Sequence, residues 1–455
     1  MKLLTEEAWT VHQGRFIALW TDATRAYALY EPDELVAVEL RDGTYPALPY
    51  PGANWFQRLA KDLNGHNATG FAETRTAVEH FREPDGRAAW PEFRHPNLEG
   101  IHQVAVGPIH AGIIEPGHFR FSTVGERVLK LEARLGYAHK GTLGLMRGKS
   151  ARQAARFAAR ISGDATVAHA IAFARAAETA LGIQVPERAH YLRAVMAEME
   201  RLANHTSDIG AIAGDAGFVF LDSRFSLMRE YVCAAAQAAF GHRLMMDLVV
   251  PGGFAGDIAK DGAEAIEDAL DALERELPSL KRVFEDYASL QDRVVGTGLI
   301  PPALAASYNA GGYVGRASGQ NRDARLAPGY PPYAAFGLSV PVSHEGDVAA
   351  RIKIRLEEIP ESIRLIRNML ASLPGGPVAV APEAASGMAL GVAESFRGPV
   401  WHWLNIHNGQ IQDAFVADAS TLHWPLLEYA ATTAILADFP LINKSINGSY
   451  SGVDL

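Results

Sequence analysis

The chain has 455 residues, of which 48% are hydrophobic and 21% are charged, and this composition predicts a globular protein with a sizeable packed core. The formal net charge is -10, and the 42 lysines and arginines are scattered, which excludes the basic patch typical of nucleic-acid-binding proteins. The single cysteine, Cys233, excludes disulfides within the chain and any iron–sulfur or zinc site built from its cysteines.

Residues 1–95 predict a small α+β unit. Three β-like runs, RFIALW, AYALYE and ELVAVEL, are followed by turn signals at Asp42-Gly43 and from Pro46 to Gly52. A short helix is predicted around Trp55 to Leu63. The opening residues, MKLLTEEAWTVHQGRF, become acidic and polar after the first few positions, so we expect no secretory signal.

Residues 96–455 predict a larger domain that begins with a β-meander. Its strands correspond to IHQVAVGPIH, HFRFSTVG and RVLKLEARLG. An antiparallel bundle of long helices is predicted next, covering Ser150 to Leu181, Pro186 onward, Asp222 to Met246 and Lys260 to Asp292. No apolar run reaches the roughly 18 residues that cross a bilayer, so we expect a soluble chain.

The last third of the sequence contains a glycine-rich interval that interrupts regular structure and patterns that predict a helix and a hairpin. A glycine-rich interval from Gly296 to Gly319 precedes a predicted helix from Val348 to Leu373. Asn408-Gly409 separates two alternating runs and predicts a β-hairpin. The final stretch, ADFPLINKSINGSYSGVDL, predicts an extended segment, and we expect its apolar part, FPLINKSI, to form an interface with another subunit.

The sequence contains no HExxH, Walker A loop, strand-linked GxGxxG or GxSxG elbow. The loosely spaced run GGYVGRASG indicates a flexible bend between core elements. The densest group of polar residues lies in GPIHAGIIEPGHFRF, which contains His110, Glu115, His118 and Arg120. These residues either cap a surface turn or belong to a functional site.

Two other polar groups are open to a structural and a functional interpretation. Three arginines stand four residues apart on one predicted helix face, namely Arg152, Arg156 and Arg160. This face is either solvated or adjacent to an anion or an iron–sulfur cluster, whose reduced form guanidinium groups stabilise. Asp208 and Asp215 follow a helix that we expect to end at Asn204-His205, where a carboxylate could be buried against the histidine.

Six stretches carry a family resemblance: GPIHAGIIEPGHFRFSTVGERVLKLEARLGYAHKG, ALGIQVPERAHYLRAVMAEMERLANHTSDIGA, HRLMMDLVVPGG, GTGLIPP, GGYVGRASG and EGDVAARIKIRLEEI. In this order they resemble the large subunit of energy-converting (group 4) nickel–iron hydrogenases and its relative, the 49-kDa subunit of complex I. The likeness runs from about Ile101 to Leu455, and Ala53 to Ala77 resemble the end of the complex I 30-kDa subunit. The resemblance implies an α+β fold with the β-meander and long helix bundle of that family.

The resemblance also implies what this chain lacks. Ser162 and Ala165 stand where the hydrogenases have a nickel-ligating Cys-x-x-Cys pair, and the second cysteine pair is replaced within DFPLINKSI. Because serine and alanine cannot replace thiolates at a soft metal site, we expect no hydrogen activation. Leu143 stands where a glutamate usually follows the HKG motif.

In complex I the same positions form a quinone site. By resemblance, His118 and Asp215 would bind or protonate the quinone headgroup, and they are the candidate catalytic residues. Gly163 replaces the tyrosine that completes the complex I site, which would enlarge the cavity. Arg160 matches an arginine beside the terminal iron–sulfur cluster, and Met245 replaces a nearby histidine.

His110 and His169 are further candidates for facing this cavity or the cluster. The chain is expected to bind no cofactor itself, but the resemblance implies a 4Fe–4S cluster in a partner subunit and a quinone. In the lettering of complex I, the implied partners are a B-like small iron–sulfur subunit, a ferredoxin-like iron–sulfur subunit, and membrane subunits that are H-like and antiporter-like. The complex would lie at the cytoplasmic face of a membrane and resemble an NADH-quinone oxidoreductase or a hydrogenase.

Two hypotheses follow. In the first, the chain is a redox subunit whose cavity lies between the β-meander and the helix bundle. In the second, it is a non-catalytic scaffold that transmits conformational change to an ion-translocating or transport module in the membrane. A free-standing soluble enzyme is the interpretation with the least support.

Overall fold

The computed structural model describes residues 1–73, 75–78, 93, 96–110 and 114–455. It has the mixed α+β architecture that the sequence predicts. Its strands are β1 (Lys2–Leu3), β2 (Phe16–Thr21), β3 (Arg25–Tyr30), β4 (Glu34–Glu39), β5 (Thr44–Pro46), β6 (Asn67–Thr69), β7 (His102–Val106), β8 (His118–Val124), β9 (Arg127–Arg134), β10 (Val249–Val250), β11 (Gly253–Phe254), β12 (Gly387–Ser395), β13 (Gly398–His407) and β14 (Gln410–Ala417). Its α-helices are α1 (Glu6–Thr10), α2 (Ala53–Asn64), α3 (Thr142–Met146), α4 (Ala151–Ala158), α5 (Thr166–Leu181), α6 (Glu187–Asp215), α7 (Val219–Phe240), α8 (Gly262–Asp286), α9 (Ala288–Val294), α10 (Pro302–Ser307), α11 (Gly312–Ala317), α12 (Val348–Ala371), α13 (Ser420–Ala431), α14 (Phe439–Ile446) and α15 (Ser451–Asp454).

The N-terminal unit contains a four-stranded sheet in the order β1-β4-β3-β2. Every residue of β2 is buried, because α2 packs against the strand and aromatic residues of the larger body also contact it. Trp20 stacks on Phe415 of β14 at 4.9 Å and lies 5.6 Å from Trp403 of β13. The predicted short helix is α2, whereas the sequence did not indicate α1.

The predicted β-meander is confirmed as the antiparallel sheet β7-β8-β9. The predicted helix bundle is also present, with α6 packed against α5, α7, α12 and α14. Three predicted boundaries were wrong. The segment from Ser150 to Leu181 forms α4 and α5 with a loop at residues 159–165, the third predicted helix ends before the left-handed Gly241, and the fourth breaks at Tyr287.

The predicted hairpin is confirmed between β13 and β14. Asn408 and Gly409 both have positive φ, at 48° and 75°, as a tight two-residue turn with right-handed strand twist requires. The preceding strand, β12, extends the hairpin to a three-stranded sheet and packs along α5.

The prediction of an extended C-terminus was wrong, because this stretch contains α14 and α15. Phe439, Leu441 and Ile442 are buried against the body, so FPLINKSI is part of the core and not an exposed interface. The run GGYVGRASG is likewise a buried helix, α11, and not a flexible bend. Gly312 is required there, because its φ is +57° and an added Cβ would lie 1.9 Å from the carbonyl oxygen of Arg397.

Candidate functional site

The loop between α4 and α5 carries the positions at which the hydrogenase ligands are expected. The Ser162 hydroxyl donates to Asp164 Oδ1 at 2.9 Å and lies 2.9 Å from the hydroxyl of Ser449. Arg397, in the turn between β12 and β13, donates to both carboxylate oxygens of Asp164, at 2.7 Å for Oδ1. The C-terminal residue that reaches this loop is therefore Ser449, which follows DFPLINKSI, the segment in which we expected the replacement.

Asp164 and Arg397 form an ion pair in which both groups stay charged. Burial opposes ionisation of the Asp164 carboxyl, but the Arg397 guanidinium and the Ser162 hydroxyl outweigh burial and hold its pKa below its ordinary value. The pair is therefore charged at neutral pH, and Asp164 does not act as a proton donor there.

His169 is fully buried on α5 and joins a second polar group beside this loop. Its Nε2 lies 3.0 Å from Asp418 Oδ2, and its Nδ1 lies 3.1 Å from Nε2 of His402. Burial and the neighbouring His169 lower the pKa of His402 well below its ordinary value, so His402 is neutral. His169 donates from Nε2 to the carboxylate, and one of the two imidazoles donates to the other across the contact between His169 Nδ1 and His402 Nε2. The chain Asp418–His169–His402 is a hydrogen-bonded relay within the core.

His110 and His118 both bind the β7–β8 turn. His110 Nε2 donates to the carbonyl of Gly117 at 2.8 Å, and His118 Nδ1 donates to the carbonyl of Gly107 at 3.2 Å. Arg120 Nε lies 3.4 Å from His118 Nε2, which therefore accepts. Burial lowers the pKa of His118, and nearby arginines lower it further, so the imidazole is neutral. Both histidines thus stabilise the β7–β8 turn, which is the structural role considered above for the run GPIHAGIIEPGHFRF.

Asp215 does not lie among the contacts of His118. It is exposed at the end of α6, and Lys444 of α14 is the cation near it. Burial of part of the Asp215 carboxyl raises its pKa, with Lys444 acting in the opposite direction. Phe439, at the other end of α14, packs on Phe119 beside His118 at a ring distance of 5.1 Å. The short helix α14 therefore contacts the strand of His118 at one end and carries a cation near Asp215 at the other.

The expectation that a helix ends at Asn204-His205 was also wrong, because α6 continues to Asp215. His205 does face a buried carboxylate, but this carboxylate is Glu358 of α12, 2.7 Å from His205 Nε2. Asp208 is buried instead against Arg355 at 3.2 Å and accepts from the amide of Asn447 at 2.9 Å.

Arg160 lies on the surface just beyond α4. Its guanidinium donates to both oxygens of Asp247, and this contact raises the pKa of Arg160 and lowers that of Asp247. Met245, two residues before Asp247, is buried. A Cβ added to Gly163 would meet no atom within 4 Å, so the position that carries a tyrosine in complex I is open. Arg152 and Arg156 are also exposed, so the arginine row lies on one solvent-facing strip.

Two of the cavities between the N-terminal unit and the body are bordered by α2. The larger has a volume of about 610 Å³ and is bounded by α2, β9 and α13, with Trp55, Arg58, Tyr308, Trp424 and Glu428 in its wall. The smaller has a volume of about 220 Å³ and contacts Leu143. None of the six candidate residues His110, His118, Arg160, Gly163, His169 and Asp215 lines either cavity.

Sequence reasoning missed a dense group of buried charges on α6, α11, α12 and β12. Its seven charged members are Glu198, Arg201, Arg316, Asp323, Arg325, Glu358 and Glu394. The available signal was weak: Glu198 and Arg201 stand three apart, and His205 follows four residues later on the same helix. Their partners come from distant parts of the sequence.

The residues present do not fit the nickel–iron group that the family implies. Ser162 and Ala165 offer no thiolate, and the sole cysteine, Cys233, is buried on α7, where burial raises its thiol pKa. Within residues 1–73, 75–78, 93, 96–110 and 114–455, no group of three or more His, Cys, Asp or Glu side chains is arranged to hold a metal ion.

The fold of this chain matches that of a solved structure. A chain from the structure of the membrane-bound sulfane sulfur reductase, an archaeal respiratory membrane complex, superposes with a TM-score of 0.74 at 23% identity, covering 79% of this chain and 100% of the other. Among the described helices, none has the length and apolar character to span a membrane. The chain therefore has the same fold as that structure.

Sequence comparisons identify the family. Residues 215–411 match the model of the respiratory-chain NADH dehydrogenase 49 Kd subunit, and residues 140–207 match that of nickel-dependent hydrogenases. Formate hydrogenlyase subunit 5 of Escherichia coli is 30% identical over 92% of this chain and 78% of its own length. The carbon monoxide-induced hydrogenase of Rhodospirillum rubrum is 29% identical over 77% of this chain and 98% of its own length. The D subunit of NADH-quinone oxidoreductase from Dehalococcoides mccartyi is 29% identical over 65% of this chain and 81% of its own length. The chain belongs to the family of group 4 hydrogenase large subunits and complex I 49-kDa subunits.

Proposed function

We propose that this chain is the large, peripheral-arm subunit of a membrane-associated oxidoreductase complex and that it does not activate hydrogen. The observation that carries this proposal is the group around Ser162. A hydroxyl pair and the Asp164–Arg397 ion pair stand where a nickel centre would need thiolates. Family membership supports a place within a multi-subunit complex, since its relatives include subunits of hydrogenases and of NADH-quinone oxidoreductase.

In this proposal, electrons come from a 4Fe–4S cluster in a small subunit that docks beside Arg160. The exposed arginine row supports this site, because guanidinium groups stabilise the more negative, reduced form of a cluster. The other proposed partners are a ferredoxin-like iron–sulfur subunit and the H-like and antiporter-like membrane subunits. They would place the chain at the cytoplasmic face of the membrane.

The proposed electron acceptor is a quinone or a similar small molecule that enters near Gly163. Gly163 is exposed and an added Cβ there meets no atom within 4 Å, so this loop is accessible to a small molecule. By resemblance, His118 Nε2 would exchange its 3.4 Å contact with Arg120 for a contact with the ligand. The Asp215 carboxyl, whose pKa is raised by burial, would supply a proton.

A second candidate function is a non-catalytic scaffold that couples conformational change to an ion-translocating or transport module. A specific observation favours it: His118 and Asp215 are not in contact, and neither lines the two cavities bordered by α2. Under this hypothesis, substitutions at His118 and Asp215 change stability or assembly but not an electron-transfer rate.

Purification of the native complex from membranes separates the two candidates. Metal analysis and electron paramagnetic resonance spectra would be recorded before and after addition of a quinone, together with hydrogen-dependent dye reduction. The redox proposal expects iron–sulfur signals from a partner, no nickel, no hydrogen oxidation and reoxidation of a cluster by quinone. Nickel with hydrogen oxidation would refute it, and clusters indifferent to quinone would favour the scaffold.

Replacing Arg160 with glutamine should lower the midpoint potential of the partner's cluster. A unit charge roughly 10 Å away at an effective dielectric constant near 20 interacts by about 1.7 kcal/mol, which corresponds to a shift of several tens of millivolts. The variant also leaves the negative charge of Asp247 without its partner, which acts in the same direction. A redox titration of the cluster signal in the purified complex measures the shift.

Arg152→Gln is the matched control, because Arg152 lies on the same exposed strip, two helical turns before Arg160. We expect it to change the potential much less, since its charge is farther from the proposed cluster. Equal shifts in both variants would show that Arg160 is no closer to the cluster than Arg152.

A further inference from the structure

The seven buried charged residues on α6, α11, α12 and β12, and in the loop after α11, form one connected cluster, here called the buried charge cluster. None of its members is more than 6% exposed. Arg316 lies at its centre: Nη1 donates to Glu358 at 2.5 Å, and Nη2 donates to Asp323 and to Glu394, each at 2.6 Å. The cluster therefore ties several elements of the bundle to the C-terminal sheet.

The other two arginines complete the connections. Arg325 donates to Asp323 at 2.6 Å and to Glu198 at 2.9 Å. Arg201 lies 3.3 Å from Glu198 and 3.4 Å from Glu358. Each carboxylate of the cluster is thus shared with at least one guanidinium.

The charges of the cluster do not balance. Three guanidiniums face four carboxylates, so the fully ionised cluster has a net charge of -1 in a dry environment. His205 beside Glu358 has its pKa lowered by burial, and Tyr330 and Tyr333 have theirs raised by burial, so these three groups add no positive charge. Two arginines lie at the edge: Arg322 pairs with Glu31 at 3.5 Å, and Arg175 lies over the ring of Tyr330 at 4.7 Å, outside the cluster. An unbalanced buried charge destabilises the folded protein, and protonation of one carboxylate removes this charge.

Hydrogen bonding identifies the carboxylate that would take this proton. Glu394 accepts two hydrogen bonds, from Arg316 and from the backbone N–H of Ala324. Asp323 accepts four, and Glu198 and Glu358 accept three each. Glu394 is therefore the least stabilised anion. Burial and the adjacent Asp323 also raise the pKa of Glu394.

A small cavity lies beside Glu394. Its volume of about 40 Å³ is enough for a water molecule, which needs roughly 10–15 Å³ of such space. Glu394, Asp323 and Asp418 line it together with apolar residues, and so do the partly exposed Glu31 and Arg322. Glu394 and two partly exposed charged residues therefore share one cavity.

We propose that Glu394 is a proton-binding site that exchanges its proton with solvent through this small cavity. A proton passes from cavity water to the Glu394 carboxylate, and the charge of the cluster changes from -1 to zero without any electron transfer. The site is separate from the redox function proposed above, because it uses neither His118, Asp215 nor the partner's cluster.

Infrared spectroscopy of the purified protein, in the complex if one is obtained, tests the site directly. We expect a carboxylic acid C=O band at pH 6 that shifts on transfer to deuterium oxide and disappears as the pH is raised to 9. Labelling with ¹³C-glutamate should shift the band, and Glu394→Gln should remove it. A protein without any such glutamate band, or a band that resists deuterium exchange or persists at pH 9, would overturn the proposal.

Glu428→Gln is the matched control, because Glu428 is a second glutamate whose pKa burial raises, to about 7, beside a different cavity. It should remove another band and leave that of Glu394.

Unfolding measurements add a check that does not depend on the infrared bands. An acid whose pKa is raised in the folded state makes the fold less stable as pH rises through that pKa. The loss of stability between about pH 5 and 8 should be smaller in Glu394→Gln, and an unchanged loss would count against Glu394.

Discussion

Replacing Arg316 with methionine is expected to lower the free energy of unfolding by about 3–5 kcal/mol, the usual cost of removing one partner from a buried ion pair. The side chain is fully buried and binds Asp323, Glu358 and Glu394 at once. Methionine fills similar space but leaves these carboxylates without their shared cation. Because domains are commonly stable by only about 5–15 kcal/mol, we expect poor yield or a strongly lowered denaturation midpoint. Denaturant titration followed by circular dichroism measures the loss.

Arg367→Met is the matched control for this substitution. Arg367, on α12, also binds three carboxylates, those of Glu267, Asp271 and Glu274 on α8, but its side chain is 30% exposed. Exposed ion pairs contribute about 0–1 kcal/mol, so this variant should be close to wild type. An equal loss of stability in the two variants would show that burial of the ion pairs does not decide their contribution.

Replacing Gly391 with alanine is expected to destabilise the protein by about 3 kcal/mol, the upper part of the usual range for overpacking. Gly391 lies on β12 where the strand meets α5, and an added Cβ would lie 2.1 Å from the carbonyl oxygen of Ala172 and 2.4 Å from the backbone nitrogen of Ala176. Backbone atoms of a buried helix cannot move aside as a side chain would. The strand would have to separate from the helix, and the shift in thermal midpoint reports the cost.

Gly375→Ala is the control, because an added Cβ there meets no atom within 4 Å. It should change stability little. The intrinsic strand preference acts against the expected result at Gly391, since glycine inside a strand is about 0.5–1 kcal/mol less favourable than alanine. A more stable Gly391→Ala variant would therefore show that the close approach of β12 and α5 is not required.

Local sequence signals predicted local elements well. Asn408-Gly409 predicted its hairpin because both residues adopt positive φ readily. The apolar stripe of α6, which includes Leu192, Val195 and Met199, is buried as its helical spacing indicates. The break between α4 and α5 was missed, because the alanines on both sides favour a helix and the short turn signal Ser162-Gly163-Asp164 was overlooked. Tertiary contacts of Ser162 and Asp164 then hold the loop in place.

The candidate site was less predictable. The pairing of His118 with Asp215 comes from resemblance and stays a prediction, and the contacts of α14 near both residues come from the structure alone. The helix α14 itself was not predicted, because Pro440 and the asparagines around it indicate an extended segment. Pro440 is tolerated near the start of the helix, where its missing N–H costs no hydrogen bond.

The sequence by itself determined that this chain has one cysteine, which denies it a thiolate centre, and that its segments follow the order of a hydrogenase and complex I family. Tertiary structure alone decided which polar groups meet. Ser162 reaches Ser449 across 287 residues, and Arg325 reaches Glu198 across 127. Turn and helix preferences act over a few residues, whereas such pairs are selected by packing of the whole core, where every buried charge must find a partner.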